Sequence, residues 1–498
     1  MTDHWAVAIL GAGAGGLGLA IRLKRARIDD FVLFEQSDGV GGTWRANTYP
    51  GAACDIASHL YSFSFELKPD WSRTYATQPE ILGYFEHCAE KYGIHDHLRP
   101  NTTVVRAEWS ASEHRWTLTA ADGQRCTADV VVSALGMLRV PAMPDIEGLA
   151  DFEGASFHSA RWNHDVDLDG RRVAVIGTGA SAAQIVPAIA ASVGHLALFQ
   201  RTPAWVMPRL DKAFTTDEQR RFARNPLAAR KYRWDIYRSY EERTSFRTGD
   251  PTAELLTVFA LGHLDHRFAD RPELKAKLTP TYPVGCKRVV VSSDFYKSLL
   301  APDVDLITAA IDRVEGDAII TADGVRHRVD AIVFATGFRA TEYLHGLEVI
   351  GLDGRRLHDD WSERAHAHLG MTVSGYPNFF MLYGPNTNQG GNSIIFILEA
   401  QARYVVRALR AMRRNRLSSV DVDRAVMDRY NAELAVALEA TVWNSGCDSY
   451  FRNANGHITT QLPQTSRWYW RRTRRFRVSE YRTTRRPMRS RRPRPGGT

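Results

Sequence analysis

A glycine-rich turn between a strand and a helix occurs twice in the chain, and this repeat constrains the fold more than any other feature. In the first copy the apolar residues 5–10 lead into Gly11, Gly13 and Gly16 and then a helical pattern. Glycines at this spacing allow a tight turn, close approach of a pyrophosphate and close packing of helix on strand. A second apolar strand ends at Glu35, whose carboxylate can accept hydrogen bonds from ribose hydroxyls. This segment therefore predicts a dinucleotide-binding unit.

The second copy lies in the middle of the chain. Its first strand, residues 172–176, leads into a glycine-rich turn and a helix, and a further strand covers residues 195–199. The turn contains the predicted nucleotide-binding residues Gly177, Thr178, Gly179, Ser181 and Ala182. The chain is therefore predicted to be an α/β protein with two Rossmann-like dinucleotide-binding domains.

The two copies differ in charge where the second strand ends. At the same distance from the first glycine, the first copy has Glu35 and the second has Arg201, followed by Thr202. A ribose 2′-phosphate carries roughly two negative charges, and a unit charge pair at about 4 Å is worth on the order of 4 kcal/mol near a protein surface. We therefore predict FAD at the first copy and NADPH at the second, where Arg201 would bind the phosphate through planar hydrogen bonds. The other interpretation of Arg201 is a solvated charge at a strand end.

Composition is close to the globular average, and 498 residues are enough for two or three domains. The net charge of +8 comes from an arginine-rich C-terminal end, and the rest of the chain is close to neutral. The tail 485–498 is rich in Arg, Pro and Gly, so we expect it to be disordered, as a solubilising or incidental extension. It contains no folded nucleic-acid-binding motif, so we predict no specific nucleic-acid partner.

Five widely spaced cysteines form no CxxC pair. This argues against a disulfide framework and against a metal site, and it fits a reducing cytoplasm. There is no run of about 18 apolar residues, and the N-terminus lacks the features of a signal peptide. We expect a soluble cytoplasmic protein that does not insert into a membrane.

Two longer motifs accompany the glycine turns. The GGxWxxxxYPGxxxD pattern is matched at every defined position by Gly41, Gly42, Trp44, Tyr49, Pro50, Gly51 and Asp55. The FxGxxxHxxxW pattern is matched by Phe152, Gly154, His158 and Trp162. With these motifs the chain resembles the type I Baeyer-Villiger monooxygenases, which are class B flavoprotein monooxygenases.

The resemblance implies an activity. A ketone or aldehyde would be oxidised to an ester or lactone, with NADPH and dioxygen consumed, through a C4a-peroxyflavin. The alternatives are nitrogen or sulfur oxygenation on the same scaffold, as in flavin-containing monooxygenases, and a binding protein that acts through its basic tail. Trp162 favours the ketone-oxidising branch, whereas Asn163 matches neither branch, and Tyr450 lies where many relatives have Trp.

The resemblance also assigns catalytic roles. Arg288 would stabilise the flavin peroxide and the developing alkoxide, Asp55 would orient Arg288, and Lys287 would reach the NADPH phosphate. From sequence alone, Lys287 and Arg288 are equally well explained as solvated charges, and Asp55 as a turn cap. The lone Cys54 is interpreted as a small buried residue, because a disulfide reductase would need a closely spaced cysteine pair.

The remaining predictions concern cofactor contacts and the linker. FAD would contact Gly11, Gly13, Gly16, Glu35, Gly42, Thr43, Trp44, Asp55 and Tyr61, and NADPH would contact the second turn together with Arg201, Thr202, Lys287 and Arg288. For Trp162 we favour packing, and for His158 a part in coupling domain movement to catalysis rather than in proton transfer.

The order of the motifs predicts a discontinuous arrangement. An FAD-binding domain would comprise residues 1–143 and 331–484, because residues 330–335 are interpreted as its returning strand. A linker would cover 144–165. An NADPH-binding domain would cover 158–330, with a helical insertion at about 211–276 that either covers the active site or is a solvated face.

Overall fold

Two mainly parallel sheets form the core of the computed structural model, which describes residues 3–243 and 246–485. The first sheet has the strand order Glu348–Ile350, Val104–Ser110, Arg115–Ala120, Arg125–Ser133, His4–Leu10, Phe31–Phe34 and Leu98–Arg99, with Phe379–Met381 also paired to Arg125–Ser133. The second has the order Val304–Ile307, His195–Phe199, Arg172–Ile176, Ala331–Phe334 and Ala155–His158. Most of the central strands consist of apolar residues and are buried, as is usual for parallel strands covered on both faces.

Smaller sheets and helices complete the described fold. The small sheets pair Val206–Met207 with Val290–Val291, Leu417–Val422 with Tyr481–Arg485, and Ile311–Glu315, Ala318–Thr321 and Arg326–Arg328 with one another. The α-helices are Ala14–Arg25, Thr43–Ala46, Gln78–Lys91, Ala182–Ile189, Thr216–Arg224, Pro226–Arg243, Pro251–Arg267, Pro272–Leu278, Phe295–Ser298, Leu357–Asp360, Ile394–Asn415, Arg424–Glu439 and Ser466–Thr473. Among these described helices, none combines the length and apolar character needed to cross a bilayer.

Each glycine turn connects a central strand of its sheet to the helix that follows. A Cβ on Gly16 would lie 1.9 Å from the carbonyl oxygen of Gly11, so only glycine allows helix Ala14–Arg25 to pack this closely on the turn. Helix Ala182–Ile189 follows the second turn in the same way. The predicted fold class, with two Rossmann-like units, is confirmed.

The position of one predicted strand is wrong. Strand Ala331–Phe334 forms as expected, but it pairs in parallel with Arg172–Ile176 and Ala155–His158 in the second sheet. The chain returns to the first sheet only at Glu348–Ile350. A buried parallel strand is apolar whichever sheet it joins, so its sequence does not identify its partners.

The helical insertion contains the four helices between Thr216 and Leu278. None of its described residues between 211 and 276 lines the cavity where the two sheets meet. Instead, the buried Arg233 donates hydrogen bonds to the carbonyl oxygens of His59 and Leu60, at 2.7 and 2.9 Å. This part of the insertion therefore packs on the first unit.

The C-terminal end differs from the prediction at one residue. Arg485, the first residue of the predicted disordered tail, ends a strand that pairs with Leu417–Val422. The rest of that tail, residues 486–498, lies outside the described residues.

A disulfide joins Cys286 to Cys447, with the two Cα atoms 6.4 Å apart. The expectation from cysteine spacing was therefore wrong for this pair, because two residues separated by 161 positions are brought together only by the tertiary fold. Cys54, Cys88 and Cys126 are free thiols.

The disulfide predicts a thiol count. Denatured without reductant, the protein should expose three thiols to a disulfide-exchange reagent, and all five after reduction. Cys126→Ser should lower both counts by one. Five reactive thiols before reduction would contradict the Cys286–Cys447 pairing.

Candidate active site

A cavity of about 1490 Å³ lies where the two sheets direct their glycine turns toward each other. Its walls include Gly11, Gly13 and Glu35 from the first unit and Gly177 and Arg201 from the second. The carboxyl ends of parallel strands are the usual place for a nucleotide in such folds. The cavity is therefore the candidate site for both nucleotides and for a substrate between them.

The first turn presents a carboxylate beside an open backbone. Glu35 is 6% exposed, and its two carboxylate oxygens accept hydrogen bonds from the amide of Ala12 at 2.7 Å and from the amide and hydroxyl of Ser37 at 2.9 and 2.7 Å. These contacts hold the Glu35 carboxylate oriented along the cavity wall. A Cβ on Gly42 would lie 2.7 Å from the Cα of Gly13, so the two predicted phosphate-binding segments meet backbone to backbone.

Two aromatic residues that were predicted to contact FAD also reach the cavity. The Trp44 indole donates a hydrogen bond to the Tyr61 hydroxyl at 3.0 Å, and both side chains line the cavity together with Thr43. Burial raises the pKa of the Tyr61 hydroxyl, so it stays protonated. Cys54 is buried, and its thiol pKa is also raised by burial, which agrees with a packing role.

The second turn is open toward the cavity. Gly177 has a φ of +108°, and a Cβ there would lie 2.6 Å from the carbonyl oxygen of Ala335, whereas a Cβ on Gly179 would meet nothing within 4 Å. The hydroxyl of Thr178 donates to the carbonyl oxygen of Thr202 at 3.1 Å, which links the turn to the end of the neighbouring strand. Ser181 lines the cavity, but Ala182 and, in the first turn, Gly16 lie behind it as packing residues.

Two cationic side chains, Arg201 and Lys287, lie at one corner of the second unit. Arg201 is exposed, and its guanidinium lies 3.3 Å from the carboxylate of Asp448. The Lys287 ammonium lies 5.1 Å from the centre of the Tyr282 ring. Burial lowers the pKa of Lys287, and the nearby Arg201 lowers it further, so an anion that entered this corner would relieve the repulsion between them.

The predicted catalytic pair is formed. Arg288 and Asp55 make a direct ion pair, and both line the cavity. Asp55 raises the pKa of Arg288, whereas burial alone would lower it. The Arg288 side chain is 36% accessible, so it remains charged while part of it faces the cavity.

Sequence reasoning missed two further contacts of this site. Gln184, on the helix after the second turn, accepts a hydrogen bond from the Tyr49 hydroxyl at 3.0 Å and donates one to the Ala53 carbonyl oxygen at 2.9 Å. It therefore fixes the first motif to the second unit, and its only signal was a polar residue in an otherwise apolar helix. Tyr450 lies close to Arg288: burial raises the pKa of the tyrosine hydroxyl, and the charge of Arg288 opposes that shift.

The four defined residues of the linker motif, Phe152, Gly154, His158 and Trp162, do not line the cavity, although Ala160 and Arg161 between them do. His158 is buried, accepts a hydrogen bond from the amide of Ala160 at 3.1 Å, and has its pKa lowered by burial. The Trp162 ring packs edge-on against Phe157, with centroids 5.0 Å apart. These four residues of the motif therefore pack within or against the second sheet.

Comparison with known proteins agrees with these features. The flavin-binding monooxygenase-like family matches residues 4–345. A Baeyer-Villiger monooxygenase of Pseudomonas aeruginosa is 44% identical over 489 residues, which are 97% of this chain and 92% of the relative. Cyclohexanone monooxygenase from Rhodococcus sp. Phi1 bound to NADP⁺ is similar in structure, with a TM-score of 0.87, 27% identity, and coverage of 97% of this chain and 100% of that one.

A second solved structure shows the same relation. The complex of OTEMO with FAD and NADP has a TM-score of 0.85 and 27% identity, over 94% of this chain and 97% of that one. The resemblance found in the sequence motifs is thus confirmed over nearly the whole chain. The protein belongs to the flavin-binding monooxygenase-like family and, within it, to the Baeyer-Villiger monooxygenases.

Proposed function

We propose that this protein uses FAD, NADPH and dioxygen to insert an oxygen atom beside the carbonyl group of a ketone or aldehyde. The observation that carries the proposal is the Arg288–Asp55 ion pair, which lies in one cavity between two nucleotide-binding turns of opposite charge. Relatives named Baeyer-Villiger monooxygenases support this choice of substrate class.

The residues of the first unit fit FAD. Glycines at positions 13 and 42 meet backbone to backbone and place no side chain in the proposed FAD groove, and Glu35 offers a carboxylate to ribose hydroxyls. Trp44 and Tyr61 would contact the ring system from the cavity wall. When bound, FAD supplies a ring that accepts hydride from NADPH and then reacts with dioxygen.

The residues of the second unit fit NADPH. The pyrophosphate would lie against Gly177 and Gly179 at the start of a helix. Arg201, Lys287 and Thr202 would bind the 2′-phosphate. This charge arrangement favours a phosphorylated nicotinamide over an unphosphorylated one.

Arg288 would act on the substrate. As an oxygen atom adds to the carbonyl carbon, negative charge develops on the carbonyl oxygen, and a fixed guanidinium stabilises it in a site with little water. Asp55 keeps the guanidinium aimed and charged. Tyr450 interacts electrostatically with the same guanidinium.

The first prediction concerns the product. With NADPH and air, the yellow holoenzyme should convert members of a ketone and aldehyde panel into esters or lactones that carry one added oxygen atom, as mass spectrometry would detect. A parallel panel of amines and sulfides provides the comparison. Turnover of that second panel alone would contradict the proposal and favour heteroatom oxygenation.

A second prediction tests the FAD groove. Gly42→Ala places a methyl group 2.7 Å from the Cα of Gly13 at a φ of +53°, and overpacking of about 1–3 kcal/mol at this site corresponds to flavin binding weakened by roughly five- to 150-fold. The flavin-to-protein absorbance ratio after purification measures the effect. Gly83→Ala is the matched control, because a Cβ at Gly83 meets nothing within 4 Å. Equal flavin content in the two variants would exclude the groove.

A third prediction separates flavin reduction from oxygen insertion. Arg288→Ala should still allow NADPH to reduce the flavin, since hydride transfer does not need a strong anion-stabilising group, while ester formation falls by roughly 100- to 1,000-fold. NADPH oxidation would then release hydrogen peroxide in place of ester. Rapid-mixing absorbance and product analysis provide the two rates, and Arg220→Ala serves as an exposed control. Ester formation at the original rate would remove Arg288 from the proposed chemistry.

A further inference from the structure

The carboxylate of Asp448 lies where the cofactor phosphate is expected. Its Oδ2 atom is 3.3 Å from the Arg201 guanidinium, and both side chains are 85% exposed. Burial and the charge of Arg201 lower the pKa of Lys287, and Asp448 raises it. One carboxylate thus pairs with Arg201 and acts electrostatically on Lys287, the two cations that the proposed function gives to the 2′-phosphate.

The chain keeps Asp448 at this corner. The preceding residue, Cys447, is bonded to Cys286, which directly precedes Lys287. Nearby, the Trp443 indole donates to the carbonyl oxygen of Gly285 at 3.1 Å. These links tie residues 443–448 to the segment that carries the cations, so Asp448 stays near the site even when its ion pair is broken.

We propose that Asp448 is a specificity-determining residue: it acts as an internal counter-ion of Arg201 and Lys287, and the 2′-phosphate of NADP(H) displaces it. This inference rests on the proposed NADPH site. An exposed ion pair is worth little, so displacement is easy, but the tethered carboxylate continues to repel the bound phosphate. The residue therefore weakens binding of the phosphorylated cofactor and has no such effect on NAD(H).

The consequence for binding can be estimated. Removing one negative charge a few ångströms from a phosphate in a water-exposed site should tighten binding by roughly three- to tenfold. The gain should shrink as ionic strength rises, because exposed charges are screened within about 10 Å at 0.1 M salt. An unphosphorylated dinucleotide lacks the 2′-phosphate that Asp448 would repel, so its affinity should not increase.

The experiment measures the Kd of NADP⁺ and of NAD⁺ for the FAD holoenzyme by calorimetry, at low and high salt. Asp448→Asn should bind NADP⁺ three- to tenfold more tightly at low salt, with the NAD⁺ affinity unchanged. Asp270→Asn, which changes an exposed aspartate of the helical insertion, is the matched control and should match the wild type.

Two different failures can be distinguished. If the wild type prefers NADP⁺ but Asp448→Asn binds it no more tightly, or gains equally for NAD⁺, the role of Asp448 is wrong and the NADPH site stands. If the wild type shows no preference for NADP⁺, the NADPH site itself is wrong and the role of Asp448 falls with it.

Discussion

The ion pair of Arg288 with Asp55 is the interaction on which the site depends. Asp55 belongs to the first nucleotide unit and Arg288 to the second, so the pair joins the two units in the wall of the cavity. A charge that is partly withdrawn from water needs a partner. Because each side chain supplies that partner to the other, the fold can keep a guanidinium charged beside the position where a substrate carbonyl would lie.

Charge also distinguishes the two nucleotide turns. Glu35 is held by the backbone and side chain of its own turn, whereas Arg201 is exposed and has Asp448 as its contact. A buried, preorganised carboxylate suits a cofactor that stays bound. An exposed cation with a displaceable counter-ion suits one that must enter and leave during each cycle. The difference in burial therefore parallels the difference in the proposed roles of FAD and NADPH.

The sequence was sufficient for features that depend on local geometry. The positions of Gly11, Gly16 and Gly177 require turns that few other residues allow, and a strand before and a helix after each turn complete the pattern. The residues of the catalytic pair came from the family resemblance, since their own sequence context allowed a solvated-charge interpretation equally well.

The sequence was not sufficient for contacts between distant segments. The partners of strand Ala331–Phe334, the disulfide of Cys286 with Cys447, and the hydrogen bonds of Gln184 each depend on how separate units pack. Periodicity and spacing indicate whether a residue is buried, but they do not identify the residues against which it packs. The sequence did not indicate a role for Asp448 for the same reason, because the proposed role depends on the Arg201 guanidinium that the fold places beside it.

The most direct test is a crystal structure of the protein with FAD and NADP⁺ bound. The account predicts the FAD ribose at Glu35, the 2′-phosphate at Arg201 and Lys287, and both ring systems meeting beside Arg288. A structure with the dinucleotides exchanged between the turns, or with their rings far from Arg288, would contradict it.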